Sequence, residues 1–121
     1  MKIIRDFERK VRQFTETIPS GKIIVGLSGG ADSVALLASL VAAGEKCIAA
    51  HCNFALRGEE SERDMRHAVE TAKMLGVECM TIKFNVPDYM KLHKCSLETA
   101  CRELRYEWFE KLRVENNALW I

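Results

Sequence analysis

Three short apolar runs constrain this chain more than any other feature. KIIVGLS at 22–28 is short and apolar, with Ile23, Ile24 and Val25 β-branched, as expected of a strand buried on both faces, and KCIAAHCN at 46–53 and VECMTIKF at 77–84 are expected as two further strands. Each is followed by helical spacing. SVALLASLVAAGE is rich in Leu and Ala, with Gly44 where a helix would end. In EESERDMRHAVETAKMLG (59–76), Met65, Ala68, Val69, Ala72 and Leu75 form an expected buried stripe that stops at Gly76. Past Pro87, a short irregular or helical stretch leads to SLETACRELRYEWFEKLRVEN. Ser96 is its expected N-cap, and Leu97, Ala100, Cys101, Leu104, Trp108 and Leu112 its core side. Ahead of the first strand, Ile4, Phe7, Val11, Phe14 and Ile18 recur every three or four residues, so 3–18 is expected as an amphipathic helix stopped by PSG at 19–21.

Strands alternating with helices imply right-handed crossovers and a parallel sheet with helices on both faces, a doubly wound α/β domain. NALWI at 117–121 is expected as the start of a fourth strand, which makes the 121 residues one incomplete domain of a longer protein. The balance of 48% apolar and 29% charged residues is that of a folded globular chain. With a formal net charge of +1, no global field selects nucleic acid or a cationic partner, so binding has to be local. The five cysteines form no C-x-x-C pair and follow no secretory signal, which implies reduced thiols and a cytoplasmic location. No apolar run approaches the roughly 20 residues that span a bilayer, so no membrane insertion is expected.

The bend between the first strand and its helix reads SGGADS, at the sheet edge where ligands of open parallel sheets sit. Gly29 and Gly30 can take positive φ and leave no Cβ in a ligand's way, while backbone N–H groups and the helix N-terminus supply partial positive charge. Such a cradle suits a phosphate. Ser28 and Ser33 offer hydroxyls, Ala31 has only to be small, and Asp32 either holds a magnesium ion or caps the helix. The bland alternative is a tight turn with Ser or Asp as the cap. Neither G-x-x-x-x-G-K-[ST] nor G-x-G-x-x-G is present.

A strand followed by S-G-G-x-D-S resembles the signature of the PP-loop pyrophosphatases, and LSGGADSV matches every fixed position. That resemblance implies ATP cleaved between its α and β phosphates to adenylate a substrate oxygen. Two more segments resemble the tRNA(Ile)-lysidine synthetases. In AHCNFALRGEESERDMR (50–66), His51, Asn53, Leu56, Arg57, Glu60, Ser61, Arg63 and Asp64 match; in SLETACRELRYEWF (96–109), Ser96, Leu97, Glu98, Arg102, Arg105 and Tyr106 match. The family commonly carries a second histidine after Asn53, where this chain reads Phe54-Ala55.

The resemblance implies ATP and Mg2+ as cofactors, with tRNA(Ile) bearing a CAU anticodon and free L-lysine as partners. It places ATP on Ser28, Gly29, Gly30, Ala31, Asp32, Ser33, His51 and Asn53, and magnesium on Asp32. Arg102 and Arg105 neutralise phosphate, and Arg57 contacts tRNA. The residues alone leave alternatives open. His51 is either a satisfied core histidine or a wall of the adenosine pocket, and Asn53 either lines that pocket or serves only to turn the chain. Ser61 and Asp64 stand at capping-box spacing. Arg102, Arg105, Tyr106, Phe109 and Arg113 fall on a face apart from the core stripe, as a phosphate clamp or as intrahelical pairs such as Glu98 with Arg102. His67 and His93 are expected at the surface. The rival readings are another PP-loop ATPase, such as a tRNA thiolase, and an ATP-binding module without chemistry. No general base is visible.

Overall fold

The computed structural model of the chain describes residues 21–28 and 30–120. The helix expected over 3–18 lies outside them. The described elements run β1 (Lys22–Gly26), α1 (Ala31–Ala42), β2 (Lys46–Asn53), α2 (Glu59–Met74), β3 (Glu78–Lys83), α3 (Val86–His93), α4 (Leu97–Asn116) and β4 (Ala118–Trp120). The strands form one parallel sheet in the order β3-β2-β1-β4. β1 is central, with Ile24 opposite Ile48 on one side and Trp120 on the other. The chain therefore winds outward from β1 to β3 and then returns to β1's far side, which puts a topological switch point between β1 and β4.

Alternate residues of β1 build the two halves of the core. Ile23, Val25 and Leu27 pack with Leu37 and Leu40 of α1 and with Ala68 and Ala72 of α2. Ile24 joins Ile48, Ala50 and Ala118 against Phe109 and Leu112 of α4. The crossovers through α1 and α2 thus cover one face, and the longer connection through α3 and α4 covers the other. Tyr89 of α3 donates its hydroxyl to Glu103 of α4 at 2.5 Å, which seats the short helix on the long one.

Ser96 caps α4, its hydroxyl accepting from the Thr99 N–H at 3.2 Å, as expected. The apolar stripes differ from the expected ones. On α2, Ala68 and Ala72 are buried but Val69 is 40% exposed. On α4, Leu97 is 45% exposed while Phe109, expected on the arginine face, is 6% exposed. Residues 105, 109 and 112 share a stripe at i, i+4, i+7, of which Phe109 and Leu112 are buried against the sheet and Arg105 is exposed.

Phe109 reaches the sheet at Gly26. A Cβ on Gly26 would stand 3.0 Å from the Phe109 ring, closer than most Cβ contacts come, so the ring would have to give way. Glu62 makes a second tie, between strand ends. It accepts from Lys83 Nζ at 2.6 Å and from Asn53 Nδ2 at 3.3 Å, joining α2 to the exits of β2 and β3.

Gly26→Ala is expected to cost about 1–3 kcal/mol by overpacking, read as a lower denaturant midpoint; a variant as stable as the parent would show that the ring moves freely. The hydrogen bond from Lys83 holds the Glu62 carboxyl below its ordinary range. Its stabilisation is complete above the unfolded carboxylate pKa and is lost as pH falls through the lowered folded value. Glu62→Gln should flatten the acid limb of the melting temperature below about pH 5, and an unchanged limb would place that pH dependence elsewhere.

Candidate functional site

The bend after β1 closes on itself. Ser33 Oγ donates to the Gly30 carbonyl at 3.0 Å and accepts from the Ser28 N–H at 3.3 Å. Gly30 is the N-cap of α1 with φ −87°, so it does not use the positive φ open to a glycine: its conformation is one any residue adopts, and among the described residues a Cβ would meet only Ser28 Oγ, at 3.6 Å. Gly29 lies outside the described residues. No side chain caps α1, so neither Ser28 nor Asp32 takes the capping role weighed above, and the helix's first N–H groups keep their partial positive charge without an internal anion. Asp32 is exposed in the first turn, and Ala31 is exposed beside it.

A cavity of about 470 Å³ opens beside this bend, over the exits of β1 and β2, within the range of small-molecule sites. Ser28 links it to the loop, His51 and Asn53 form its β2 wall, and Arg57 and Arg105 stand at its rim. His51 is 5% exposed, with Nδ1 at 2.7 Å from the Leu27 carbonyl; since that carbonyl only accepts, Nδ1 carries the proton of the bond. It is both a satisfied core histidine and a wall of the cavity, so the two readings of the sequence coincide. Asn53 is 1% exposed and does turn the chain: its Oδ1 accepts from the Ala55 N–H at 2.8 Å, across a backbone that carries Ala55 at φ +55°.

The charged start of α2 is built differently from a capping box. The N-cap is Gly58, and Ser61, inside the helix, accepts from the Arg57 N–H at 3.0 Å. Asp64 pairs with the Arg57 guanidinium at 2.6 Å, and Glu60 lies 3.4 Å from it. All three side chains are well exposed, so the pairs contribute little to stability and hold Arg57 loosely at the rim.

On α4 the structure separates the two expected arginines. Arg105 lines the cavity and Arg102 does not, because three residues back along the helix puts its side chain about 60° away and a turn further from the sheet. The expected pairing of Glu98 with Arg102 is absent among the described residues. Arg113 is taken by Glu110, at 2.9 Å from Nε. His67 and His93 are exposed, as expected.

Sequence reasoning gave no site role to Gly26, Cys52, Phe54, Tyr106 or Phe109, all of which line the cavity. Gly26 carried a signal, since a glycine inside a strand pattern marks close approach of another group. All five cysteines are free. Burial pushes the Cys52 thiol up to about 12 against a smaller lowering by Arg105, and burial also raises Cys101, so neither supplies a thiolate at neutral pH. Among the described residues no group of three His, Cys, Asp or Glu side chains could hold a metal, and no helix is long and apolar enough to cross a membrane.

Comparison with known proteins bears on the fold and the family. Curated tRNA(Ile)-lysidine synthases from Parabacteroides distasonis and Bacteroides thetaiotaomicron are 52% identical over 110 residues and 50% identical over 101 residues, covering 91% and 84% of this chain. One from Bacillus licheniformis is 36% identical over 124 residues and covers all of it. The chain spans about a quarter of the length of these relatives, 24–25%. Among solved structures, an NH3-dependent NAD synthetase from Campylobacter jejuni superposes with a TM-score of 0.77 at 18% identity, over 98% of this chain and 54% of that one. An NAD+ synthetase from Burkholderia pseudomallei reaches 0.57 at 14%, over 97% and 60%. At such identities these two show the fold alone. The model of the PP-loop domain family matches residues 3–121, loop and sheet together, and the chain belongs to that family.

Proposed function

We propose that this chain is the N-terminal, ATP-binding and adenylating part of a tRNA(Ile)-lysidine synthetase acting in the cytoplasm. The observation that carries the proposal is the uncapped α1 N-terminus with its Ser-Gly-Gly-Ala-Asp-Ser bend, opening onto a cavity large enough for a nucleotide. The relatives' names supply the substrate. In the reaction, the 2-carbonyl oxygen of the wobble cytidine in a CAU anticodon attacks the α-phosphorus of ATP, and pyrophosphate leaves. The ε-amine of free lysine then attacks C2 of that cytidine, and AMP leaves with the oxygen. A carbonyl oxygen departs poorly until it is a phosphoester, which is why the first step is needed.

The chain's own contribution is positioning and charge. The N–H groups and hydroxyls of residues 28–33, Gly29 included, cradle the phosphates, with Gly30 and Ala31 kept small so that the backbone can approach. His51 and Asn53 line the nucleoside end. Arg105 neutralises charge that builds on the phosphates, a role the sequence reading shared with Arg102. Arg57, loosely held at the rim, is free to exchange its carboxylate partners for a tRNA phosphate. A lone exposed carboxylate at a phosphate loop suits magnesium, which commonly takes one or two carboxylates plus phosphate oxygens; Asp32 would hold it, and the ion would supply charge neutralisation on the phosphates. A thiolase reading gains nothing from the cavity, where the one cysteine is a neutral thiol.

Because Gly30 has an ordinary φ and a Cβ there would make only an ordinary van der Waals contact with Ser28 Oγ, Gly30→Val should leave folding intact and affect only what sits above the loop. In the complete protein this variant is expected to keep its melting temperature within a few degrees and to lose at least about tenfold in ATP affinity by calorimetry. Equal affinity would overturn the phosphate cradle.

A further inference from the structure

Arg105 has an unusual seat. Its guanidinium carbon lies 5.7 Å from the centroid of the Phe54 ring, within cation–π range. No ion pair joins it to a carboxylate among the described residues. The ring beneath it belongs to a stack drawn from three segments. Phe54, in the β2–α2 connection, stacks on Phe84, after β3, at 5.6 Å and 21°. Trp108 of α4 meets Phe84 edge-on at 6.5 Å and 86°, and Phe109 lies 5.7 Å beyond Trp108. The Asn53 side chain fixes the turn from which Phe54 projects, through its 2.8 Å bond to the Ala55 N–H.

We propose that Phe54 is a positioning residue for Arg105: its ring, clamped by Phe84, holds the guanidinium at the cavity rim with its N–H donors unspent, ready for an anionic group of the bound nucleotide. An aromatic face suits this task where a carboxylate does not. A carboxylate would hold Arg105 as firmly but would consume its donors and cancel its charge, whereas the ring quadrupole attracts the cation and leaves every N–H available. The same ring limits the arginine's rotamers before the ligand arrives, so less entropy is lost when the ion contact forms. The inference rests on the nucleotide reading of the site and assigns a role that no motif marks.

The test is pyrophosphate release by the complete protein with ATP, tRNA(Ile) and lysine, for Phe54→Leu, Phe54→Tyr, Phe54→Trp, Arg105→Gln and the Phe54→Leu/Arg105→Gln double variant. Phe54→Leu should lower kcat/KM about tenfold, mostly in kcat, while the Tyr and Trp variants stay within about twofold of the parent. In the double variant the Phe54→Leu loss should vanish into that of Arg105→Gln, since one acts only through the other. Additive losses, or aromatic variants as impaired as Leu, would overturn the role of Phe54. Should Phe54→Leu fail to fold, as judged by its melting temperature, Phe54→Met is read by the same criteria. If the parent protein binds ATP and Gly30→Val weakens that binding at least about tenfold, a failed cycle strikes this inference alone; a parent that binds no ATP, or a Gly30→Val variant that binds it equally well, removes the nucleotide reading, and this inference with it.

Discussion

The missing side chain of Gly26 is the space on which the site depends. Phe109 fills that space, at 3.0 Å from where a Cβ would stand, and so fixes the height and rotation of α4 over the carboxyl end of β1. One turn back along the same stripe, Arg105 overhangs the sheet edge instead of its apolar face. A helix that rested further from the sheet would still bury Leu112 but would carry its arginine away from the loop. The close approach thus couples packing at the centre of the fold to charge at its rim.

The rim gathers positive character although the chain's formal net charge is only +1. Its sources are the N-terminal N–H groups of α1, which no side chain caps, and the guanidinium of Arg105, which an aromatic ring holds in place of a carboxylate. Both are left with interactions to offer, while other charges nearby are internally satisfied: Arg113 by Glu110, and Lys83 by Glu62. A preorganised field of this kind costs little reorganisation when charge develops on a ligand, which is where such fields are most effective.

Much of this was legible in the residues. Strands buried on both faces leave continuous apolar runs, so 22–28, 46–53 and 77–84 stood out, and the alternation with helices forced the parallel sheet and put SGGADS at its ligand edge. Ser96 announced its helix for a local reason, a hydroxyl three residues ahead of the N–H it accepts from. What stayed hidden depended on where a helix overhangs the sheet. Phe109 and Arg105 share one stripe, and periodicity alone cannot say that the stripe turns from core to cavity within one turn. The Gly30 backbone was open for a related reason: glycine permits positive φ without requiring it, and here the residue is extended. Phe54 escaped notice because its partners, Phe84 and Arg105, come from distant segments that only the fold brings together.

The central claim is that a nucleotide binds over the exits of β1 and β2, with its phosphates on the loop that opens α1. Amide hydrogen exchange of the complete protein, with and without ATP and magnesium, tests this most directly. The account predicts slowed exchange across residues 27–33 and 50–57, with the amides around Glu78 at the opposite end of the sheet unchanged. Protection that appears elsewhere while 27–33 exchanges as before would contradict it.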